Sequence, residues 1–406
     1  MRILVLSKSF PTGDRPAYGA DLMCRRVVEH LAASGHEVAV LTSRSMAPAA
    51  GEGLVVCPRL VKDRPDPDLL PDQWSARHKL QFLRKARHNY AATRRALRIF
   101  RPDVVYVSDL ELLTGSPLGA LQEAGAPLVF HAHDLTLLRT VGGQAAADAA
   151  RGAKQALLDW FLRPPRGGRS AKSRPLLAVS EFIAEQYRGA GWETDQVRIV
   201  YNGVDERHFA GGPREKPESN SLLLAGRCVP DKGLHLAVEA VGRLAQRGIE
   251  AELHLVGEFQ REAYRTRLQE LAAQWGVTER VVYRGYVSPE DMPAEYRRHA
   301  GAVVPSLGPE AFGLVSVEAQ ANGTPVVVAA TGGLPETLAA GSTGLVVPPD
   351  DAAALAGAIE QLLADGDTWR RMSAAGQAFA RDRFGMGRMV SAVESCLVET
   401  ARRGGG

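Results

Sequence analysis

Short continuous runs of Val, Leu, Ile and Ala recur along this chain, separated by longer segments whose apolar residues return every third or fourth position. In the first half the runs are RILVLS (2–7), HEVAVLT (36–42), DVVYVSD (103–109), PLVFHAHD (127–134) and LLAVS (176–180). In the second half they are SLLLAGR (221–227), AELHLVG (251–257), RVVYRGYV (280–287), GAVVPS (301–306), TPVVVAA (324–330) and GLVVPP (344–349). Unbroken apolar runs of this length, without strict alternation, suit strands of parallel sheets covered on both faces. The segments between them read as helices. Ala20, Cys24, Val27, Val28 and Leu31 form one apolar stripe, closed by Gly35 as a C-cap. Alternating strand and helix over the whole length predicts α/β architecture with doubly wound parallel sheets.

The break between domains is expected near YNGVDERHFAGGPREKPESNS (201–221), which is rich in Gly, Pro, Asn and charge and precedes a fresh βαβ series. This divides the chain into residues 1–200 and 201–384, with a last helix, about 385–402, expected to pack back on the first domain. Two Rossmann-like domains facing each other would leave a cleft at the carboxyl ends of both sheets. The loop RPPRGGRSAKSRP (163–175) is expected to be mobile and the tail RRGGG (402–406) to fray.

Length and composition agree with this picture. A chain of 406 residues exceeds one ordinary core. A hydrophobic fraction of 45% and a charged fraction of 23% are those of a globular protein. A net charge of +3 gives no case for nucleic acid. Cys24, Cys57, Cys228 and Cys396 are scattered and form no CxxC pair, which suggests a reduced, cytoplasmic setting. The first residues, MRILVLSKSF, read as a strand rather than a leader peptide.

The stretch PEAFGLVSVEAQANGTPVVVAATGG (309–333) changes the picture, because Glu310 and Glu318 lie inside an otherwise apolar segment. Glu310 falls just before a helix and Glu318 two turns up it, roughly 12 Å away. Phe312, Gly313 and Leu314 would offer the unpaired N–H groups of a helix N-terminus, a ready place for phosphate. A carboxylate accepts hydrogen bonds, so each would pair with sugar hydroxyls. Arg227, at a strand end, and Lys232, at a helix start, would clamp a diphosphate. A surface helix with its glutamates in water, and ordinary loop cations, remain the plainer alternative on spacing alone.

The two glutamates with seven residues between them, followed by NGTPVVVAATGGLPE (322–336), resemble the signature of retaining nucleotide-sugar glycosyltransferases of the two-domain GT-B fold, in the sucrose-synthase-like and mannosyltransferase-like group (glycosyltransferase family 4). NGVD (202–205) with Phe209, GR with DKG (226–233), VRIVYNG (197–203), TGLVVPPDD (343–351) and GHEVAVLTS (35–43) resemble it too, in the same order. The resemblance implies that Glu318 binds the ribose hydroxyls and that Glu310 contacts the donor sugar and supports charge at its anomeric carbon. It places Arg227 and Lys232 on the diphosphate leaving group, and the backbone of Phe312, Gly313 and Leu314 over sugar and phosphate. It puts His133 near the reacting sugar. Where the family has two adjacent glycines in the first loop, SFPTGDRPAYGAD (9–21), this chain has Gly19 then Ala20, so the carry-over is to Gly19.

The implied reaction moves a sugar from a nucleoside diphosphate sugar, UDP-sugar favoured and GDP-mannose the other choice, to a hydroxyl acceptor with retention. The acceptor would be a small molecule, a glycan or a lipid-linked sugar, in natural-product or cell-envelope glycosylation. No cofactor and no metal are expected; the DPD triplet at Asp66–Asp68 lies in a Pro-rich loop with no strand leading into it. Residues 73–102 hold nine Lys or Arg and no acid, with Leu80, Leu83, Ala86 or Arg87, Tyr90 and Leu97 on one stripe. Such a helix suits either peripheral contact with an anionic membrane or a solvated cationic wall. The rivals are an epimerase-like enzyme, which would lack the paired glutamates, and a non-catalytic sugar-nucleotide-binding protein. A NAD-dependent Rossmann enzyme is excluded because no G-x-G-x-x-G follows a predicted strand.

Overall fold

The computed structural model describes residues 1–10, 19–43, 54–58, 60–61, 76–110, 113, 115–141, 171–209, 211–212 and 214–404. The chain forms two compact units, Met1–Val200 with Val390–Gly406, and Tyr201–Met389. Each is an α/β unit around one parallel sheet.

In the first unit the strands are β1 (Arg2–Ser7), β2 (Glu37–Thr42), β3 (Leu54–Pro58), β4 (Val104–Asp109), β5 (Leu128–Ala132), β6 (Leu176–Ala178) and β7 (Val197–Ile199). They lie in the order β3-β2-β1-β4-β5-β6-β7, all parallel. Residues 3 to 6 of β1 and the whole of β4 are buried, as the unbroken apolar runs require of central strands. The helix Ala20–Ala33 turns Met23, Cys24, Val27, Val28 and Leu31 inward and ends with Ser34 as C-cap and Gly35 just beyond. Two strands, β3 and β7, are absent from the apolar runs of the sequence. Both lie at the sheet's edges, and β7 is only three residues long with two of them exposed.

The basic segment is helical over Ala76–Phe100, and Ala86 of the expected stripe turns inward, but the rest of the inward face differs. Leu80 is 50% exposed and Arg87 faces solvent, whereas Ala86, Asn89 and Thr93 are buried. The reason is chemical. The Asn89 amide accepts from the Val61 amide at 2.8 Å and donates to the carbonyls of Val61 and Leu113, at 2.9 and 2.8 Å, tying two loops to the helix. A buried polar group with its partners in place serves here as well as an apolar one. The last helix, Met386–Gly404, buries Val390, Val393, Cys396 and Leu397. Its Glu394 holds His30 and His36 of the first unit at 2.9 and 2.8 Å. Of the tail expected to fray, residues 402–404 continue this helix, and 405–406 lie outside the described residues.

The second unit carries β8 (Ser221–Ala225), β9 (Glu252–Val256), β10 (Val281–Gly285), β11 (Gly301–Val304), β12 (Val326–Ala329) and β13 (Gly344–Val347). Their order is β10-β9-β8-β11-β12-β13, again all parallel. Apolar side chains from both faces of this sheet pack against helices, Leu234–Gln246 and Ala352–Ala364 on one side and Met292–Arg298 and Leu314–Ala321 on the other. Strand order reverses at the β8–β11 pair, so the helices that follow these two strands lie on opposite faces of the sheet and a crevice forms at the strands' carboxyl ends. The ranges 11–18, 62–75 and 142–170, which include the first loop, the DPD triplet and most of the 163–175 loop, lie outside the described residues.

Candidate active site

The loops after β8 and β11 are held together by their own backbone. The Leu307 amide donates to the Asp231 carbonyl at 2.8 Å. Lys232 ends a 3-10 turn, Pro230–Lys232, that leads into the helix Leu234–Gln246. Its ammonium makes a close ion pair with Glu310 Oε1. The hydroxyl of buried Ser306 donates to the same oxygen at 2.6 Å. Side-chain exposures of 26% for Lys232 and 18% for Glu310 leave both reachable from solvent, so the pair lines the crevice rather than filling the core.

A third loop fixes the main chain of Glu310. The Gly333 amide donates to the Glu310 carbonyl at 2.7 Å, and a Cβ on Gly332, whose φ is 58°, would lie 2.1 Å from that carbonyl oxygen. Gly313 is the N-cap of the helix Leu314–Ala321, with a φ of 111°. A Cβ there would meet Leu334 at 2.4 Å, so this glycine also serves the packing of the protein itself. The Gly313 carbonyl accepts from the amides of Ser316 and Val317, while those of Leu314 and Val315 at the first two positions have no helical acceptor. The Phe312 ring turns inward, against Tyr201 and Phe384 with ring centres 5.9 and 5.5 Å away. The part of Phe312 that can meet a ligand is therefore its backbone.

Glu318, on the same short helix, sits in different surroundings. Its Oε2 accepts from the hydroxyl of Tyr296 at 2.8 Å, and Tyr296 is fully buried on the helix Met292–Arg298. Burial pushes the Glu318 carboxyl up to about 7; the Tyr296 hydroxyl and then Arg207 pull it back, while Asp205 pushes it further up. The far end of the helix is anchored. The Asn322 amide donates to the Glu318 carbonyl at 2.8 Å and meets His208 Nδ1 at 2.7 Å. Arg214 donates to the Asn322 and Gly323 carbonyls and to Thr324 Oγ1, at 3.2, 3.0 and 2.8 Å.

Lys232, Glu310, Phe312, Gly313, Leu314 and Glu318 thus fall in connected loops and one helix, and Arg227 stands exposed at the end of β8 in the same unit. Ser306, Tyr296 and Gly332 belong with them and do not stand out in the sequence. Ser306 follows a strand as any loop serine would, and Tyr296 reads as core. The one available signal was that a buried phenol needs a hydrogen-bond partner.

His133 and Gly19 belong to the first unit. Gly19, with a φ of 50°, is the N-cap of the helix Ala20–Ala33. His133 follows β5 and lies against buried His131, ring centres 4.1 Å apart. His131 Nδ1 is 2.6 Å from the Tyr106 hydroxyl, and burial holds His131 well below its ordinary pKa. Lys8 and Asp109, at the ends of β1 and β4, pair at 2.9 Å, and Asp109 lines a small recess together with His131 and His133. Among the described residues no cluster of three or more His, Cys, Asp or Glu is placed to hold a metal ion.

Residues 18–208 match the sequence model of Glycosyltransferase Family 4, and residues 206–379 that of Glycosyl transferases group 1. The chain belongs to the family 4 type of GT-B glycosyltransferases. A D-inositol 3-phosphate glycosyltransferase of Corynebacterium efficiens is 31% identical over 61% of this chain and 59% of its own length. A GDP-mannose-dependent alpha-(1-6)-phosphatidylinositol monomannoside mannosyltransferase of Mycolicibacterium smegmatis is 30% identical over 51% of this chain and 57% of its own. The chain therefore matches a little over half the length of each. The glycogen synthase of Mycobacterium tuberculosis is 28% identical over 94% of this chain and 91% of its own. Among solved structures, HepE of Anabaena in complex with UDP shares the fold with a TM-score of 0.70 at 20% identity, covering 98% of this chain and 100% of that one. Among the described residues no helix is long and apolar enough to cross a membrane.

Proposed function

We propose that this glycosyltransferase moves a sugar from a nucleoside diphosphate sugar to a hydroxyl acceptor with retention, without a metal. The observation that carries the reading is the convergence of Lys232 and Ser306 on Glu310 at the start of the helix that bears Glu318. In this reading the diphosphate lies over the helix start, against the amides of Phe312, Gly313 and Leu314 and the cations of Arg227 and Lys232. Glu318 accepts from the ribose hydroxyls. Glu310 stands at the sugar and supports positive charge on the anomeric carbon, and the family resemblance assigns His133 to the reacting sugar.

The bond between the anomeric carbon and the diphosphate oxygen breaks with its electron pair going to the diphosphate. The acceptor oxygen bonds to the same face of that carbon, and its proton passes to the departing phosphate. Lys232 and Arg227 gain most from the charge that develops on the leaving group, so preorganised electrostatics supplies the rate. Donor choice follows the uridine preference of the resemblance, with guanosine the alternative because a mannosyltransferase relative uses GDP-mannose. The acceptor is a small molecule, a glycan or a lipid-linked sugar. The cationic face of the helix Ala76–Phe100 would draw an anionic acceptor or an anionic membrane surface.

The test is donor hydrolysis with radiolabelled UDP- and GDP-sugars, with and without a chelator, in wild type and Glu310→Gln. Turnover that survives the chelator and disappears in the variant supports the reading. A variant as active as wild type overturns it.

A further inference from the structure

Glu318 reaches no cation within ion-pair distance among the described residues, and a buried phenol is its close donor. We infer that Tyr296 is a positioning residue for the nucleoside end of the donor site: its hydroxyl pins Oε2 of Glu318 so that the remaining lone pairs of the carboxylate meet the vicinal hydroxyls of a ribose. This rests on the reading of Glu318 as the ribose carboxylate.

The geometry supports a one-way hydrogen bond. Tyr296 has no solvent exposure and packs with Leu223, Val256, Ala302, Ala319 and Val328 on one face of the second unit's sheet. Its backbone is fixed as well, since Thr324 Oγ1 donates to the Tyr296 carbonyl at 2.8 Å. On the same helix, buried Glu295 is clamped by Arg284 at 3.2 Å and Arg298 at 2.8 Å. The phenol therefore cannot swing to another acceptor. Burial, and then the facing Glu318, hold its pKa well above the usual 10, so it stays protonated and donates. A carboxylate offers about four lone-pair positions, and one taken by Tyr296 leaves enough for two hydroxyls.

The charged groups facing Glu318 beyond this helix come from the Val204–Phe209 segment, where Arg207 and Asp205 act in opposite directions and pair with each other at 3.0 Å. His208 of that segment is buried beside Tyr296, ring centres 6.1 Å apart, and burial pushes it down to about 4, so it is neutral at pH 7. Tyr296 is thus the close partner that favours the ionised carboxylate. A ribose diol, which also bonds best to the anion, would add to the same bias. Removing the hydroxyl should raise the carboxyl's pKa, leave more of it protonated at neutral pH and weaken the ligand, and alkaline pH should restore the anion.

The experiment titrates UDP and GDP into the full-length protein at pH 7 and pH 9, in wild type, Tyr296→Phe, Glu318→Gln and, as a control for loss of a tyrosine hydroxyl elsewhere, Tyr264→Phe. Tyr296→Phe is expected to bind the preferred nucleotide about tenfold more weakly at pH 7, the loss of one hydrogen bond to a charged group. Its donor-hydrolysis turnover at saturating donor stays within about twofold of wild type, because its bond is to the nucleoside anchor and not to the reacting carbon. At pH 9 the deficit falls below about threefold, as Glu318 ionises without help. Tyr264→Phe binds as wild type at both pH values. Wild-type affinity in Tyr296→Phe at pH 7, or an equal deficit at both pH values, overturns the proposal. Where Glu318→Gln binds both nucleotides as tightly as wild type, the ribose reading itself has failed and the inference falls with it. Weak binding in Glu318→Gln with normal binding in Tyr296→Phe defeats the inference alone.

Discussion

Glu310 and Glu318 occupy the two ends of one short segment, and the protein treats them in opposite ways. Glu310 accepts from an ammonium and a serine hydroxyl in a crevice open to water, with its own carbonyl clasped by the Gly333 amide. Glu318 accepts from a phenol anchored in the apolar face of the sheet, where burial lifts its carboxyl to about 7. The first carboxylate is paired with an opposite charge, and burial leaves the second close to its titration point. An anion facing a developing cation must stay ionised throughout a reaction. A carboxylate that grips neutral hydroxyls can tolerate partial protonation until ligand arrives.

The strongest test of this contrast removes the charge at the Glu310 end. Lys232→Ala is expected to lower turnover about 100-fold or more, with donor affinity falling less than turnover. Arg227→Ala is expected to act in the same direction; steady-state kinetics with donor-binding isotherms measures both, and unaffected turnover in the two variants would refute a leaving-group role. Next comes the clasp. Gly332→Ala forces a Cβ against the Glu310 carbonyl from a left-handed backbone, and is expected to cost about 1–3 kcal/mol of stability by denaturant unfolding, together with a fall in turnover. The Glu318 end responds more gently, and to pH. Donor binding to the wild type should strengthen up to about tenfold between pH 6 and pH 8, because the anion is the better acceptor and forms across about 7. Glu318→Gln should flatten that profile, and a flat wild-type profile would erase the contrast.

The smallest effect is on stability. The Glu318 carboxyl titrates near 7 in the folded protein against an ordinary 4.5, so the fold holds a proton that the unfolded chain has released. Its contribution is fully present below about 4.5 and is lost as pH rises through 7. Glu318→Gln removes that loss and should leave the protein about 1 kcal/mol more stable than wild type at pH 8, after discounting for partial solvent access, with the two converging near pH 4. Thermal unfolding across pH reads this directly.

Much of the architecture was legible along the chain. The apolar runs mark eleven of the strands among the described residues, and the other two, β3 and β7, are the edge strands of the first sheet. The helix Ala76–Phe100 was legible as an element but not in its orientation, because Asn89 and Thr93 point inward where a polarity pattern sends them out. Of the site, Lys232, Glu310 and Glu318 stood out as charges at strand ends and inside an apolar segment. Ser306, Tyr296 and Gly332 did not, since a serine after a strand, a tyrosine in a helix and a glycine in a loop are ordinary taken singly.

Local pattern alone determined the alternation of strand and helix, because burial on both faces of a parallel sheet leaves a periodicity that neighbouring residues record. It also determined the family, through charges and glycines in a recurring order. Only the tertiary structure decided which atoms meet. Lys232 and Glu310 are 78 residues apart and touch because the sheet sets β8 beside β11, and Tyr296 reaches Glu318 because two helices share one face of that sheet. Contacts of that kind follow from strand order and packing depth, which no window of neighbouring residues contains.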